Sequence, residues 1–235
     1  MRSIVIGLVA PKRAGKQTFV QLLLRALGRN FWSPSYKHFE FSAPLGLGLE
    51  RLGLPKTRQN YQNLAVVIND ITDGCSLPFG VAKLGMVASN ENFLNLGAVS
   101  REIFGGQRVV RGMELMLERD DSDLKFADGM RWPEDEKLIR SFPYNLVVYI
   151  DASPEVRYQR ALTSANSKVG EKQMTWEEFL ETEKAKTEVN IADIGSRADF
   201  TILNNRDMEE YERQVRNCYV HQLIPLVQKM RKKED

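Results

Sequence analysis

The sequence contains few residues of the types that bind transition metals or form disulfides. Its 235 residues include two cysteines, Cys75 and Cys218, and two histidines, His38 and His221, all far apart along the chain. This inventory excludes a zinc or iron-sulfur site of recognisable spacing. We interpret both histidines as packing or surface residues. Few cysteines are also typical of the reducing cytosol, so we expect a cytoplasmic protein.

A large excess of charge and a long apolar run are missing as well. Lys plus Arg total 33 against 31 Asp plus Glu, a net charge of +2, which does not favour binding to a nucleic-acid backbone or an anionic membrane. The apolar run at residues 4–9 is much shorter than the roughly 20 residues that span a bilayer. It leads into basic residues, so we interpret it as a buried strand. We expect neither a nucleic-acid nor a membrane partner.

What the sequence does contain is the composition of a globular chain, 43% hydrophobic and 27% charged, with strand-like and helix-like segments in alternation. This alternation indicates an α/β fold with a doubly wound five-stranded parallel sheet, whose ligand site lies at the carboxyl ends of the strands. The predicted strands are residues 3–9, 37–42, 124–128, 146–150 and 199–203. The predicted helices are residues 16–27, 45–52, 57–71, 91–103, 109–117, 133–140, 154–162, 175–191 and 208–230.

The loop after the first predicted strand carries the strongest functional signal. Its residues 10–18 read APKRAGKQT and lie between a strand and a helix. A phosphate-binding loop needs small residues that let backbone N–H groups point inward, a lysine for the β- and γ-phosphates, and a helix N-terminus facing the anion. Gly15, Lys16 and the following helix meet these needs. An ordinary basic turn between strand and helix is the alternative.

The loop departs from the strict phosphate-loop pattern at two positions. Ala10 stands where the pattern has its first glycine, and Gln17 stands where a serine or threonine would bind Mg²⁺. The hydroxyl is displaced to Thr18. The resulting Gly-Lys-x-Thr ending resembles the loops of nucleoside monophosphate kinases and related P-loop kinases.

Later motifs extend this resemblance to the branch of deoxynucleoside monophosphate kinases and dephospho-coenzyme A kinases. Residues 128–131 read DGMR and are similar to the Asp-Gly-x-Arg that follows the third strand in that branch. The other similar segments are residues 41–45 and 54–60 at the acceptor site, 151–160 at the entry to the lid, 176–179, Glu188 and 198–205. Each motif is weak, but their shared order covers most of the chain except residues 73–123.

The resemblance implies a single P-loop kinase-like domain over residues 1–235. A helical acceptor-binding region would be inserted at residues 57–123, and a lid would lie at residues 161–175. Lids of similar kinases carry arginines, but residues 161–174 contain only the cations Lys168 and Lys172. Either arginines outside the lid compensate, or turnover is slow.

The resemblance also implies roles in phosphoryl transfer, which depends mostly on positioning and charge neutralisation. Lys16 would bridge the β- and γ-phosphates of ATP, and Thr18 and Asp128 would bind Mg²⁺, the carboxylate through the water shell of the ion. Capping of the turn before Gly129 is the alternative for Asp128. The residues implied to bind ATP are Lys12, Arg13, Ala14, Gly15, Lys16, Gln17, Thr18 and Asn205.

Four arginines complete the implied site. Arg58 and Arg131 would bind the acceptor's phosphate, because a planar guanidinium pairs bidentately with phosphate oxygens. Arg157 and Arg160, three apart on a predicted helix, would reach the transferring phosphoryl group, with Arg157 affecting kcat more than KM. The alternatives are a solvated Arg58 and an ion pair of Arg131 with Glu134 or Asp135. For Arg157 and Arg160 the alternative is a surface ion pair with Glu155.

The predicted function is therefore ATP- and Mg²⁺-dependent phosphoryl transfer to a small nucleotide, a nucleoside or deoxynucleoside monophosphate. Such an acceptor is already an anion at neutral pH and needs little help from a general base. One alternative is a dephospho-coenzyme A kinase-like enzyme, which would need a base, with Asp128 as the candidate. Another is a nucleotide-binding regulatory protein with little turnover. The sequence leaves a homodimer open.

Overall fold

A five-stranded parallel sheet with flanking helices confirms the predicted α/β fold class. The structure, a computed structural model, describes residues 3–28, 33–163, 174–184 and 189–232, without the side chain of Arg58. The strands follow the order β2-β3-β1-β4-β5. They are β1 Ile4–Val9, β2 Tyr36–Glu40, β3 Leu124–Asp128, β4 Asn145–Asp151 and β5 Phe200–Leu203.

Strand β1 lies at the centre of the sheet because all six of its residues are apolar or glycine and can be buried on both faces. It pairs in parallel with β3 on one side and with β4 on the other. In this register Leu8 lies opposite Asp128 and Val148. The loop that leaves β1 therefore starts level with the carboxyl end of β3.

The chain divides into two compact units. One unit, here called the sheet unit, is formed by Met1–His38 and Ser122–Asp235, and the other, the helical unit, is Phe39–Asp121. The helices of the sheet unit are α1 Lys16–Gly28, α7 Pro133–Ser141, α8 Pro154–Thr163, α9 Trp176–Glu183, α10 Ile191–Ser196, α11 Met208–Cys218 and α12 Ile224–Arg231. Those of the helical unit are α2 Ala43–Arg51, α3 Arg58–Thr72, α4 Leu77–Lys83, α5 Asn90–Phe104 and α6 Val109–Arg119.

Helix α4 in the helical unit was not predicted from the sequence. Pro78 and Gly80 read as breaks, but the proline lies in the first turn, where its missing N–H is not needed. A Cβ on Gly80 would lie 2.8 Å from Val67 and 3.0 Å from Leu96, so the glycine allows close packing of helices. Both residues therefore serve the helix that they were expected to interrupt.

Two predicted helices differ from those observed. The capping box of Thr175 and Glu178 forms as predicted, but α9 ends at Glu183, and α10 begins only after Asn190. The predicted helix at 208–230 contains a π-helical turn, Tyr219–Leu223, just before Pro225. Because proline has no N–H, the regular hydrogen-bond ladder cannot continue through it.

Residues 164–173 of the predicted lid, with Lys168 and Lys172, and also Glu188 lie outside the described residues. Within the described ranges, no helix combines the length and the apolar character needed to cross a membrane.

Candidate functional site

The loop between β1 and α1 turns sharply out of the strand direction. Arg13 has a φ of 63° and Gly15 a φ of 110°, and Arg13 is the one non-glycine residue with positive φ in the described chain. The N–H of Ala14 donates to the carbonyl of Pro11 at 3.3 Å, and Phe19 N–H donates to Gly15 at 3.0 Å to start the helix. The left-handed conformation of a non-glycine residue costs on the order of 1 kcal/mol, so the surrounding structure must stabilise it.

Three consecutive carbonyls of this loop accept hydrogen bonds from side chains that are distant in sequence. The pairs are Arg160 Nη1 to the carbonyl of Arg13 at 3.3 Å, Asn204 Nδ2 to that of Ala14 at 2.8 Å, and Tyr211 Oη to that of Gly15 at 3.0 Å. The three donating side chains belong to α8, to the residue after β5 and to α11. The loop is therefore held by three elements of the sheet unit.

Lys16 and Asp128 meet where β1 and β3 end. The ammonium Nζ lies 2.5 Å from Asp128 Oδ1, and the two side chains are 20% and 13% exposed. His38 approaches the other oxygen of the carboxylate, with Nε2 3.5 Å from Oδ2. Burial raises the pKa of Asp128, but the hydrogen bond from His38 and the charge of Lys16 outweigh it and lower the pKa below its usual value. The carboxylate is therefore ionised at neutral pH.

The two arginines of α8 lie in different surroundings. Arg160 contacts the loop, and its Nη2 also donates to the Asn204 carbonyl at 2.9 Å and to Oδ1 at 3.1 Å. Arg157 is 5% exposed, donates from Nε to the carbonyl of Ala152, and forms an ion pair with Glu183 at 2.5 Å. Its guanidinium also lies over the ring of Phe179. The structure thus brings Arg160 to the loop after β1 and directs Arg157 to α9.

The segment after Asp128 is organised by a buried carboxylate. Gly129 has a φ of 88°, and the N–H groups of Arg131 and Trp132 both donate to Asp135 Oδ2, at 2.8 and 3.0 Å. Burial raises the pKa of Asp135 to about 6, although these two N–H groups oppose the shift. Asp135 therefore orders the turn that carries the half-buried Arg131 at the start of α7.

The remaining predicted residues lie around the loop, except Arg58, whose side chain is outside the described structure. Lys12 and Gln17 are exposed, and Thr18 is half-buried. Asn205 accepts the N–H of Ser153 at 2.6 Å. Thr18 also lines a cavity of about 160 Å³ beside Gly15, together with side chains that follow β5. Those side chains include Asn204, Arg206 and Met208.

Three residues of the site were missed by sequence reasoning. Asn204 lies in the motif at residues 198–205, but the resemblance implies ATP binding for its neighbour Asn205 instead. Tyr211 and His38 carry no motif, and His38 was interpreted as a packing or surface residue. No pattern in the sequence would have identified these two, because their contacts depend on tertiary structure.

Comparison with known proteins gives distant relatives. No protein-family model matches the chain. A UPF0200 protein of Pyrococcus horikoshii is 32% identical over 91 residues, 37% of this chain and 47% of that protein. One from Hyperthermus butylicus is 25% identical over 93 residues, 40% of this chain and 48% of that protein. The chain spans about half the length of the curated relatives that it matches.

Solved structures align with most of the chain. The TT1252 protein of Thermus thermophilus has a TM-score of 0.52 and 18% identity, with 95% of this chain and 99% of that one covered. A shikimate kinase from Bacteroides thetaiotaomicron has a TM-score of 0.48 and 12% identity, with 92% and 96% covered. At identities of 18% and 12%, the similarity concerns the fold alone. The fold that this chain shares with the TT1252 protein is a five-stranded parallel sheet with flanking helices.

Proposed function

We propose that this protein is an ATP-dependent phosphotransferase that acts on a nucleoside or deoxynucleoside monophosphate. The observation that carries the proposal is the 2.5 Å contact between Lys16 and Asp128, beside the turned loop at the carboxyl ends of β1 and β3. Phosphoryl transfer needs two charged groups close together: a cation that bridges the β- and γ-phosphates, and a carboxylate that binds the metal. In the structure, each of these two charges neutralises the other.

The loop would bind the phosphates of ATP, and the adjacent cavity would receive the rest of the nucleotide. Backbone N–H groups at the start of α1 lie at the positive end of the helix dipole, which favours an anion there. Thr18 joins the loop to the cavity that Arg206 and Met208 line. Lys12 and Arg13 would add positive charge at the mouth of the loop, and Asn205 would bind near the cavity.

The residues present fit a magnesium ion that is held jointly with ATP. No group of three or more potential metal-binding side chains exists among the described residues. Magnesium in kinase sites needs only one or two carboxylates, because phosphate oxygens and water complete its shell. The ionised Asp128 and the hydroxyl of Thr18 match that set, and bound Mg²⁺ would neutralise charge on the transferring phosphoryl group.

Binding of the acceptor is proposed for Arg131, which stands after β3 on the turn that Asp135 orders. Arg58 and the acceptor-binding role of residues 57–123 stay predictions, as does the lid at 161–175. A second candidate acceptor is a hydroxyl group, as in the dephospho-coenzyme A kinase-like alternative. It is favoured by His38, whose contact with Oδ2 would orient Asp128 toward a hydroxyl proton.

The proposal is tested by incubating the protein with ATP and Mg²⁺ and with a panel of nucleoside monophosphates plus dephospho-coenzyme A. Formation of ADP that depends on one monophosphate supports the proposal, and coenzyme A as product supports the second candidate. Lys16→Ala should lower kcat/KM by roughly 10³-fold or more, because transition-state charge loses its cation. Lys184→Ala, at an exposed ion pair with Glu181, is the control that should retain activity. Binding of ATP without transfer to any acceptor would instead favour a regulatory protein.

A further inference from the structure

The side chains that hold the phosphate loop suggest a role beyond that of binding ATP directly. We propose that Arg160, Asn204 and Tyr211 form a carbonyl clamp, a set of positioning residues that keeps the loop in its anion-binding shape before ATP arrives. The inference rests on the proposed function only in taking the loop as the site of a triphosphate. It changes the role of Arg160, which the resemblance assigned to the transferring phosphoryl group.

The clamp acts on the carbonyl side of the loop and thereby orients its N–H side. In a planar trans peptide, the C=O and the following N–H point in opposite directions. Asn204 fixes the carbonyl of Ala14 and therefore the N–H of Gly15, and Tyr211 fixes the carbonyl of Gly15 and therefore the N–H of Lys16. Both N–H groups consequently face away from the clamp.

The members of the clamp also orient one another. Arg160 donates to Asn204 Oδ1 at 3.1 Å, which turns the other end of the amide, Nδ2, toward the carbonyl of Ala14. The backbone N–H of Asn204 donates to the carbonyl of Asp151 at 2.7 Å and so anchors the clamp to the end of β4. The amide can therefore accept from one partner and donate to the other only in this orientation.

Burial keeps the hydroxyl of Tyr211 suited to its role. The residue is 1% exposed, and burial raises the pKa of the phenol despite the opposing charge of Arg160. The group therefore stays protonated and donates to the carbonyl of Gly15 at any ordinary pH. Asn204 is 7% exposed, so loss of either bond would leave a polar atom without water to replace it.

The clamp closes so tightly that only glycine fits at position 15. A Cβ there would overlap Asn204 Nδ2 and would lie 3.3 Å from Tyr211 Oη. Arg13, whose carbonyl Arg160 binds, is held at a φ of 63° that non-glycine residues seldom adopt. A left-handed conformation at such a residue persists only where contacts from surrounding residues stabilise it. The clamp supplies that support.

Tyr211→Phe tests the clamp, because it removes one hydroxyl and keeps the buried ring. In the ATP-free protein, the ¹⁵N order parameters of the Gly15 and Lys16 amides should fall from about 0.85 to below about 0.6. The Kd for ATP should rise about fivefold, with kcat at saturating ATP within about twofold of wild type. Tyr144→Phe, at another buried tyrosine of the same core, is the control and should change neither quantity.

Asn204→Asp is the second variant, since the carboxylate still accepts from Arg160 but cannot donate to Ala14. It should raise the Kd for ATP more than Tyr211→Phe does, about tenfold or more. Rigid loop amides and unchanged ATP affinity in both variants would overturn the clamp, as would a fall in kcat alone. Wild-type protein that binds no ATP would overturn the proposed function, while the amide measurement would still decide the clamp.

Discussion

The sheet unit and the helical unit differ in what they bury. The helical unit encloses a cluster of apolar side chains around Leu64, Val99 and Phe104. The sheet unit has an apolar core too, but it also encloses charge. Among the described residues, the buried polar or charged side chains are Lys125, Asp135, Glu136, Arg157 and Asn204 in the sheet unit and Ser100 in the helical unit.

This difference indicates where the fold must accommodate charge. Apolar packing alone suffices to stabilise a helical unit, and its helices begin with ordinary caps such as Thr57 and Ser89. A buried charge costs free energy unless it is paired, so its presence indicates a structural or chemical requirement at that place. In the sheet unit, Asp135 contacts the turn that carries Arg131, and Asn204 contacts the loop after β1.

The largest expected effect comes from breaking the ion pair between the buried Arg157 and the half-buried Glu183. Arg157→Ala should reduce the free energy of unfolding by about 3 kcal/mol, because Glu183 would be left without its partner. In the helical unit, Arg51→Ala breaks an ion pair with Glu102 in which both side chains are 52% exposed. This variant should change the free energy of unfolding by less than about 1 kcal/mol. Urea denaturation measures both.

Equal losses in the two variants would remove the contrast between the units. The double variant Arg157→Ala/Glu183→Ala should recover part of the stability, since no unpaired carboxylate remains. A stable Arg157→Ala protein with a reduced kcat would instead support the catalytic role that the resemblance implies.

The next effect is a pH dependence of stability that arises in the sheet unit. Folding raises the pKa of Asp135 to about 6 from the roughly 3.9 of an unfolded chain. The native state then binds more protons between these values, so the free energy of unfolding should fall by about 2 kcal/mol as pH rises from 4 to 6.

Thermal unfolding across that pH range tests this dependence. Asp135→Asn should flatten the slope, whereas Asp70→Asn in the helical unit should leave it unchanged. The lowered pKa of Asp128 acts with the opposite sign and in another range, since its stabilisation is lost only as pH falls below about 4. An unaltered slope in Asp135→Asn would argue against the raised pKa.

The smallest effect compares two glycines with positive φ. Gly15→Ala would collide with Asn204 and should raise the Kd for ATP about tenfold or more. Gly85→Ala, at a φ of 69° in the helical unit and with open space around it, should reduce stability by only about 1 kcal/mol and leave the Kd unchanged. Calorimetric titration with ATP distinguishes the two, and a normal Kd in Gly15→Ala would contradict the described loop.

Sequence reasoning succeeded where local pattern decides the structure. All five strands were predicted, and the clearest of them were β1 and β4, which contain nearly unbroken apolar runs. The turn after β1 was located because Gly15 and Lys16 follow such a strand directly, and its binding of phosphate stays a prediction. The rule that parallel strands align their carboxyl ends also brought Asp128 to the same edge of the sheet.

It failed where contacts join distant parts of the chain. Asn204 and Ala14 are 190 positions apart, and no local pattern records that one donates to the other. The different partners of Arg157 and Arg160 were equally hidden, because two residues three positions apart share a helix face but need not share partners. Helix α4 was missed because Gly80 serves packing rather than a turn.

The sequence by itself determined the parallel sheet, the turn after β1 and the place of Asp128 at the carboxyl end of β3, because apolar periodicity and backbone geometry are local. Only the tertiary structure decided that Arg160 supports the loop, that Arg157 is paired with Glu183, and that His38 reaches Asp128. The direction of a side chain depends on which neighbours folding brings to it, and those neighbours lie far away in the sequence.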